Sequence, residues 1–309
     1  MSAHVFYTED EVIEFGEPTE TVGRLGEDGP VVVKVGGAAA VDVEAVAADV
    51  AHHVANGRSV VVVHGGSTTV DALLERLGLE PTYVETPSGV VGRFTDASTM
   101  EVFTMAVAGQ VNTTVTTALR NEGVDAVGLS GVDGGIVTGP RKGAVRVLEG
   151  DKTKIKRGDH AGRIESVDDH LLRLLLEAGY VPVIGPPMLG GEPDGAHTPV
   201  NVDADRFAAA IAGTLGGDLI LLTDVAGVYR DPDDPSTRIE TVDTSEALAA
   251  LERVAEGFMT RKVMAAREAL EGGAGAVVIA DGTRRKPLVN ALAGGGTTVH
   301  PRALAPSEP

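Results

Sequence analysis

Two glycine pairs and one lysine are the residues of this chain best suited to handling phosphate. Gly36-Gly37 follows the run PVVVKV (30–35), and Gly65-Gly66 follows SVVVVH (59–64). Both runs are almost continuously apolar, as expected of strands buried on both faces of a parallel sheet. Ligands of such sheets bind where strands end and helices begin. Glycine there lets backbone N–H groups approach an anion that the helix N-terminus also attracts. Either pair alone is explained by a tight turn. Two pairs on two early strands, with Lys34 two residues ahead of the first, favour a phosphate cradle. Lys34 interrupts an apolar strand, and a buried ammonium needs an anion beside it, either a protein carboxylate or a ligand phosphate. The alternative is an edge lysine that reaches solvent. Neither the P-loop pattern nor GxGxxG occurs, so the cradle is of another kind.

A second feature is electrostatic. Between Arg141 and Arg163 lie eight basic residues (Arg141, Lys142, Arg146, Lys152, Lys154, Lys156, Arg157 and Arg163) against three acidic ones, net +5 in a chain of net charge −19. Four of its seven lysines fall there. Charge runs are often only solvated faces. A concentrated positive patch on an otherwise acidic surface instead fits a specific anionic partner, such as an acidic protein. No aromatic residue is interleaved for base stacking, and the acidic surface disfavours nucleic acid.

The elements that position these residues follow from periodicity. Helical sequence over 41–56 and 67–77 follows the two glycine-flanked strands, and 98–121 reads as one long helix after a loop carrying Arg93. DAVGLS (125–130) is a short strand. Residues 136–165 alternate side chains between glycine turns, as β-hairpins do. Helix 167–178, the strand YVPVIG, helix 204–214, the strand DLILLTD (218–224), helices near 245–256 and 260–271, and the strands AVVIA and TTVH complete the chain. Strands alternating with helices of this length imply an α/β fold, a three-layer αβα sandwich with a mainly parallel central sheet. The expected organisation is an acidic arm over 1–29, one lobe over 30–215 with a basic hairpin insertion at 136–165, and a second lobe over 216–309.

Composition narrows the class. The chain of 309 residues has no cysteine, so disulfides and thiolate metal sites are excluded. No apolar run approaches the roughly 20 residues of a membrane span, and no signal peptide is visible, so a cytoplasmic, non-membrane location is expected. High acid content with few lysines resembles proteins of a high-salt cytoplasm, where carboxylates keep the surface solvated. An ordinary acidic bacterial protein is the alternative.

Seven segments in order carry a resemblance: VVVKVGG (31–37), VVVHGG (61–66), GRFTD (92–96), GLSGVDGG (128–135), VNVDAD (200–205), LILLTDVAGVY (219–229) and GFMTRKV (257–263). Together they resemble the amino acid kinase family, with its carbamate kinase-like fold, over about 30–300. Within it the chain is most similar to the acetylglutamate kinase branch, and there to the LysW-glutamate/LysW-aminoadipate kinases, whose substrate hangs from a small acidic amino-group carrier protein. The resemblance implies ATP and Mg²⁺ as cofactors, no metal ligands among the protein residues, a homodimer, and a role in arginine or lysine biosynthesis.

It also implies that 30–215 is an amino-acid-binding lobe and 216–309 a nucleotide-binding lobe, and it implies residue roles. Lys34 and Lys262 would contact the transferring phosphoryl group, with Asp205 holding both. Gly36, Gly37, Gly65 and Gly66 would offer N–H groups to the phosphates and the developing charge. Arg93 and Asn201 would grip the amino acid, while Thr223, Asp224 and Tyr229 would border the nucleotide. Arg141, Lys142, Arg146, Lys152, Lys154, Lys156 and Arg157 would dock the carrier. Apart from the resemblance, Asp205 reads as a helix-dipole partner, and Asn201 and Asp224 as turn residues. Where the family commonly has lysine, AGQVN (108–112) has Gln110, whereas Asn112 keeps its position. A conventional acetylglutamate kinase, or a non-catalytic sensor on the same fold, is the competing reading.

Overall fold

The computed structural model describes residues 29–36, 41–87, 89, 91–150 and 152–305. Residues 1–28 of the acidic arm expected over 1–29, and Gly37, lie outside the described residues. β1 (Val31–Val35) leads into α1 (Val43–Ala55), β2 (Val60–His64) and α2 (Ser67–Arg76). A ribbon of β3 (Tyr83–Glu85) and β4 (Val91–Arg93) precedes α3 (Ala97–Thr104), a π-helical stretch Met105–Val111, and α4 (Asn112–Asn121). β5 (Ala126–Gly131), β6 (Val137–Glu149), β7 (Lys152–Gly162) and β8 (Ser166–Val167) come next. They are followed by α5 (His170–Glu177), β9 (Val181–Gly191) and β10 (His197–Val200). The remainder holds α6 (Ala204–Leu215), β11 (Asp218–Thr223), β12 (Thr241–Val242), α7 (Ser245–Val254), α8 (Phe258–Glu271), β13 (Val277–Asp281), α9 (Pro287–Leu292) and β14 (Gly296–Val299).

One twelve-stranded sheet runs β12-β14-β13-β11-β1-β2-β9-β6-β7, with β5, β8 and β10 attached beside it. Its centre is parallel: β1 pairs with β2 and β11, β11 with β13, and β2 with β9. Antiparallel pairs are confined to the flanks and the hairpin. The expected α/β architecture with a mainly parallel sheet is therefore observed. The sequence on either side of residue 215 shares this sheet, because β1 and β11 are neighbours at its centre.

Alternation along the strands builds the two helical layers. Val32, Val61, Val63, Leu219 and Leu221 face α6 and α8, while Val31, Val33, Val35, Val60 and Val62 face α1, α4 and α9. Gly213 of α6 and Gly272 beyond α8 let those helices approach backbone to backbone; a Cβ on Gly213 would stand 3.0 Å from the Gly272 Cα. The long helix expected over 98–121 keeps its course but widens to a π-turn at Met105–Val111. Such widened turns shift the faces of a helix and often accompany functional sites. Arg93 ends the ribbon strand β4 rather than lying in a loop.

Within the layer of α1, α4 and α9, a buried carboxylate ties two helices together. α9 opens on Pro287 and lacks a side-chain cap of its own. Asp49 of α1, 2% exposed, accepts the N–H groups of Leu288 at 2.6 Å and Val289 at 3.0 Å. Burial raises its pKa, and those two N–H bonds oppose the rise. Replacing Asp49 by Ala leaves both donors unsatisfied and should cost about 2 kcal/mol. Asp49→Asn retains an acceptor without a charge to bury and should lose less than half of that. Urea midpoints at constant m measure both changes; an Ala variant as stable as the wild type would mean that water caps α9 equally well.

Candidate active site

Lys34 points toward α6 and α8 because Val32, two residues earlier on β1, packs in that layer. Asp205 enters from the first turn of α6 and Lys262 from the second turn of α8. The three meet. Lys34 Nζ lies 2.7 Å from Asp205 Oδ1, and Lys262 Nζ donates to Asp205 Oδ2 at 3.0 Å. All three are buried. Lys34 thus does not reach out to solvent; its protein anion is Asp205.

The helix-capping reading of Asp205 belongs instead to Asp203. Asp203 Oδ1 accepts from the N–H groups of Asp205 and Arg206, which satisfies the start of α6 and leaves the Asp205 carboxylate for the lysines. Burial alone would favour a neutral Asp205, but the charges of Lys34 and Lys262 hold its carboxyl well below the usual carboxylate range. Lys262 is pushed down by burial and then by repulsion from Lys34, against the attraction of Asp205. One carboxylate between two ammonium groups leaves positive charge in a dry site, which suits a multiply charged anion.

Gly36 and the Gly65-Gly66 turn stand at this end of the sheet. The β1–β2 register pairs Val35 with His64, so Gly36 and Gly65 continue side by side past the strand ends. A Cβ on Gly65 would stand 3.3 Å from Ala204 Cβ, next to Asp205; on Gly66 it would press on Val107 and Val111 of the π-turn at 3.1 Å. Thr223 ends the adjoining strand β11, and its hydroxyl donates to Asp224 at 3.1 Å. Tyr229 forms an isolated bridge with Arg238 farther along the same segment.

Arg93 and Asn201 sit in linked surroundings. The Arg93 guanidinium pairs with Asp71 and donates to Ser67 O at 3.0 Å, Ser67 Oγ at 2.9 Å and Tyr83 Oη at 3.0 Å. It is therefore anchored to the start of α2, beside Gly66. Asn201 Nδ2 donates to Thr95 Oγ1 at 3.0 Å, and Thr95 N–H donates to Asp159 Oδ1 at 3.2 Å. These bonds clamp the segment after β4 and the one after β10 onto the base of the hairpin. Gly92 also approaches Arg261, whose Nη1 is 3.5 Å from Asp203 Oδ2. The ribbon thus reaches the neighbourhood of Lys262 and Asp205.

Asp71, Tyr83, Thr95 and Asp159 were not singled out from the sequence. An acid or a tyrosine in a polar segment carries no signal of its partner when that partner lies more than ten residues away.

The basic segment forms the β6–β7 hairpin, and its cations divide. Arg141 is committed to the base, donating to Asp159 O at 2.9 Å and pairing with Glu192 at 2.8 Å. Lys154 pairs with Glu149, and Lys156 Nζ lies 3.9 Å over the Phe94 ring. Lys142, Arg146, Lys152 and Arg157 are exposed, and no carboxylate among the described residues lies within ion-pair distance of them. The register puts Arg146 opposite Ile155 and Ala144 opposite Arg157, so Arg146, Ile155 and Arg157 share one face. Ile155 is 63% exposed there. Gln110 is exposed as well. No helix among the described residues is long and apolar enough to cross a membrane.

The chain is similar to several known proteins. The chain is 43% identical over 270 residues to the LysW-aminoadipate kinase of Deinococcus radiodurans, covering 87% of this chain and 91% of that one. It is 41% identical over 241 residues to the acetylglutamate kinase of Methanopyrus kandleri, covering 77% and 90%. The fold superposes on carbamate kinase from Giardia lamblia bound to AMP-PNP with a TM-score of 0.63 and 16% identity, over 89% of this chain and 99% of that one. Residues 29–281 match the amino acid kinase family. The chain is a member of the amino acid kinase family.

Proposed function

We propose that this chain is a kinase that transfers the γ-phosphoryl group of ATP to the side-chain carboxylate of glutamate or 2-aminoadipate carried on an acidic LysW-type protein, in arginine or lysine biosynthesis. The observation that carries the reading is the Lys34–Asp205–Lys262 arrangement at the ends of the central parallel strands, beside the Gly65-Gly66 turn. The relatives named as LysW-aminoadipate and LysW-glutamate kinases support it.

The chemistry asks for alignment and charge neutralisation. A carboxylate is already ionised near neutral pH, so no general base is needed. One carboxylate oxygen forms a bond to the γ-phosphorus while the bond to the β–γ bridging oxygen breaks, giving an acyl phosphate and ADP. Lys34 and Lys262 neutralise charge spreading over the phosphoryl oxygens, and Asp205 holds both lysines in place. Backbone N–H groups at Gly36, Gly65 and Gly66 add donors. Arg93, oriented by Asp71, and Asn201 grip the amino acid; Arg93 can hold a carboxylate through two parallel bonds. Thr223, Asp224 and Tyr229 border the nucleotide. Among the described residues no three His, Asp or Glu side chains are arranged to hold a cation. Mg²⁺ would enter with ATP and supply further charge neutralisation for the transferring group.

The acidic carrier docks on the hairpin, on the face shared by Arg146, Ile155 and Arg157, where exposed charge flanks an apolar side chain. A conventional acetylglutamate kinase is the second reading, favoured by the 41% identity to the Methanopyrus kandleri enzyme.

Acyl phosphate trapped as a hydroxamate separates these readings: carrier-linked glutamate or aminoadipate should be turned over in preference to free N-acetylglutamate. Preference for the free compound would make the chain a conventional enzyme. Lys34→Ala and Lys262→Ala should each lose on the order of 10²–10³ in kcat with unchanged circular dichroism; near-normal turnover in both removes their assignment. Charge reversal at Arg146 and Arg157 together should raise KM for the carrier-linked substrate about tenfold and leave KM for ATP unchanged, an effect that shrinks as salt rises. An unaltered carrier KM would place docking elsewhere.

A further inference from the structure

His64 is the last residue of β2, and its side chain enters the layer opposite Lys34, because Val63 packs toward α6 and α8 while Val62 and His64 face α4. There it is 2% exposed. Its Nδ1 lies 3.0 Å from the carbonyl oxygen of Gly65, and its Nε2 lies 2.9 Å from Asn112 Nδ2. Asn112 Nδ2 is also 2.9 Å from the carbonyl oxygens of Leu129 and Val183. Those two carbonyls can only accept, so the amide must turn its NH₂ group toward them; the flipped amide would set oxygen against oxygen.

The NH₂ group has two hydrogens to share among these three acceptors, and its nitrogen accepts none, so the ring nitrogen facing it cannot carry a proton. His64 Nε2 is therefore bare and the proton is on Nδ1, where the Gly65 carbonyl, again only an acceptor, receives it. The two ends of the imidazole reach the same tautomer independently. The niche leaves no slack. A Cβ on Gly128 would collide with Asn112 Oδ1 at 2.1 Å, and one on Gly185 with His64 Cε1 at 2.7 Å.

The consequence passes through one peptide plane. The Gly65 carbonyl and the Gly66 N–H belong to the same rigid unit and point in opposite directions. Pinning the carbonyl toward His64, on the α4 side, aims the Gly66 N–H the other way, toward the face on which Lys34, Asp205 and Lys262 converge. Glycine at 65 and 66 could rotate this plane freely; the imidazole removes that freedom.

We propose that His64, held by Asn112 as the Nδ1–H tautomer, is a positioning residue for phosphoryl transfer: it locks the Gly65–Gly66 peptide so that its N–H donates to the transferring group. This rests on the kinase reading above, since the amide needs a developing anion to meet.

His64→Leu has similar bulk and no donor. His64→Asn places an amide N–H near the former Nδ1 while leaving a small void. If the hydrogen bond acts on the chemistry, the Leu variant should lose on the order of 10² in kcat with KM for both substrates within about threefold, and the Asn variant should recover most of it although it is the less well packed. ¹⁵N NMR of the wild-type imidazole should show a protonated Nδ1 and a bare Nε2 from pH 6 to 9. Equal activity loss in Leu and Asn that follows melting temperature, or an Nε2–H tautomer, overturns the inference while leaving the kinase reading intact. A wild-type chain that forms no acyl phosphate overturns that reading first, and this inference with it.

Discussion

The site is built around one carboxylate shared by two buried ammonium groups. Each of the three charges would be costly alone in this interior; removing Asp205 would leave two ammonium groups uncompensated, whereas removing one lysine leaves a neutral pair. That constraint orders much of the structure. Lys34 must come from the central strand β1, Asp205 from the start of α6 and Lys262 from α8, so the sheet and two helices have to be in register for the charges to meet at 2.7 and 3.0 Å. The close approach of α6 and α8 at Gly213 and Gly272 serves that register. The surplus positive charge left over is what an incoming phosphate can satisfy.

Division of labour between the two sheet faces is the second theme. One face carries charge into the site; the other holds His64 and Asn112 beneath the glycine turn. The π-turn before Asn112 belongs to that support. Its Val107 and Val111 close on Gly66, where a side chain on the turn would collide. A flexible glycine pair gains backbone donors for an anion and loses definition. Buried hydrogen bonds from the far face restore the definition without placing a side chain in the cleft.

The hairpin is a different kind of device. Its ladder is long and its tip exposed, and the chain elsewhere is strongly acidic. At the base, Arg141, Asp159, Thr95 and Asn201 knit it to the segment carrying Arg93, so an event on the hairpin is mechanically close to Arg93. Farther out, Arg146, Ile155 and Arg157 share a face because paired residues of an antiparallel ladder lie on the same side.

Periodicity and composition alone determined the α/β class, the long buried strands, the Gly65-Gly66 turn and the basic hairpin, because these are local patterns of a few to twenty residues; the short strands β3, β4, β10 and β12 and helix α9 carried no such pattern. The need for an anion beside Lys34 was equally legible, since burying an ammonium in a valine strand admits few outcomes. Which anion it would be followed from the family resemblance and not from the local pattern. Asp203 and Asp205 stand two residues apart in VNVDAD, and only the geometry of α6 decides that the first caps the helix and the second faces the lysines. Arg93 read as a free substrate ligand, yet its fork is anchored by Asp71 and Tyr83. His64 read as the end of an apolar strand, and its pairing with Asn112, 48 residues away, had no local trace. A hydrogen bond between distant residues depends on where the sheet and helices finally pack, and that information exists only in three dimensions.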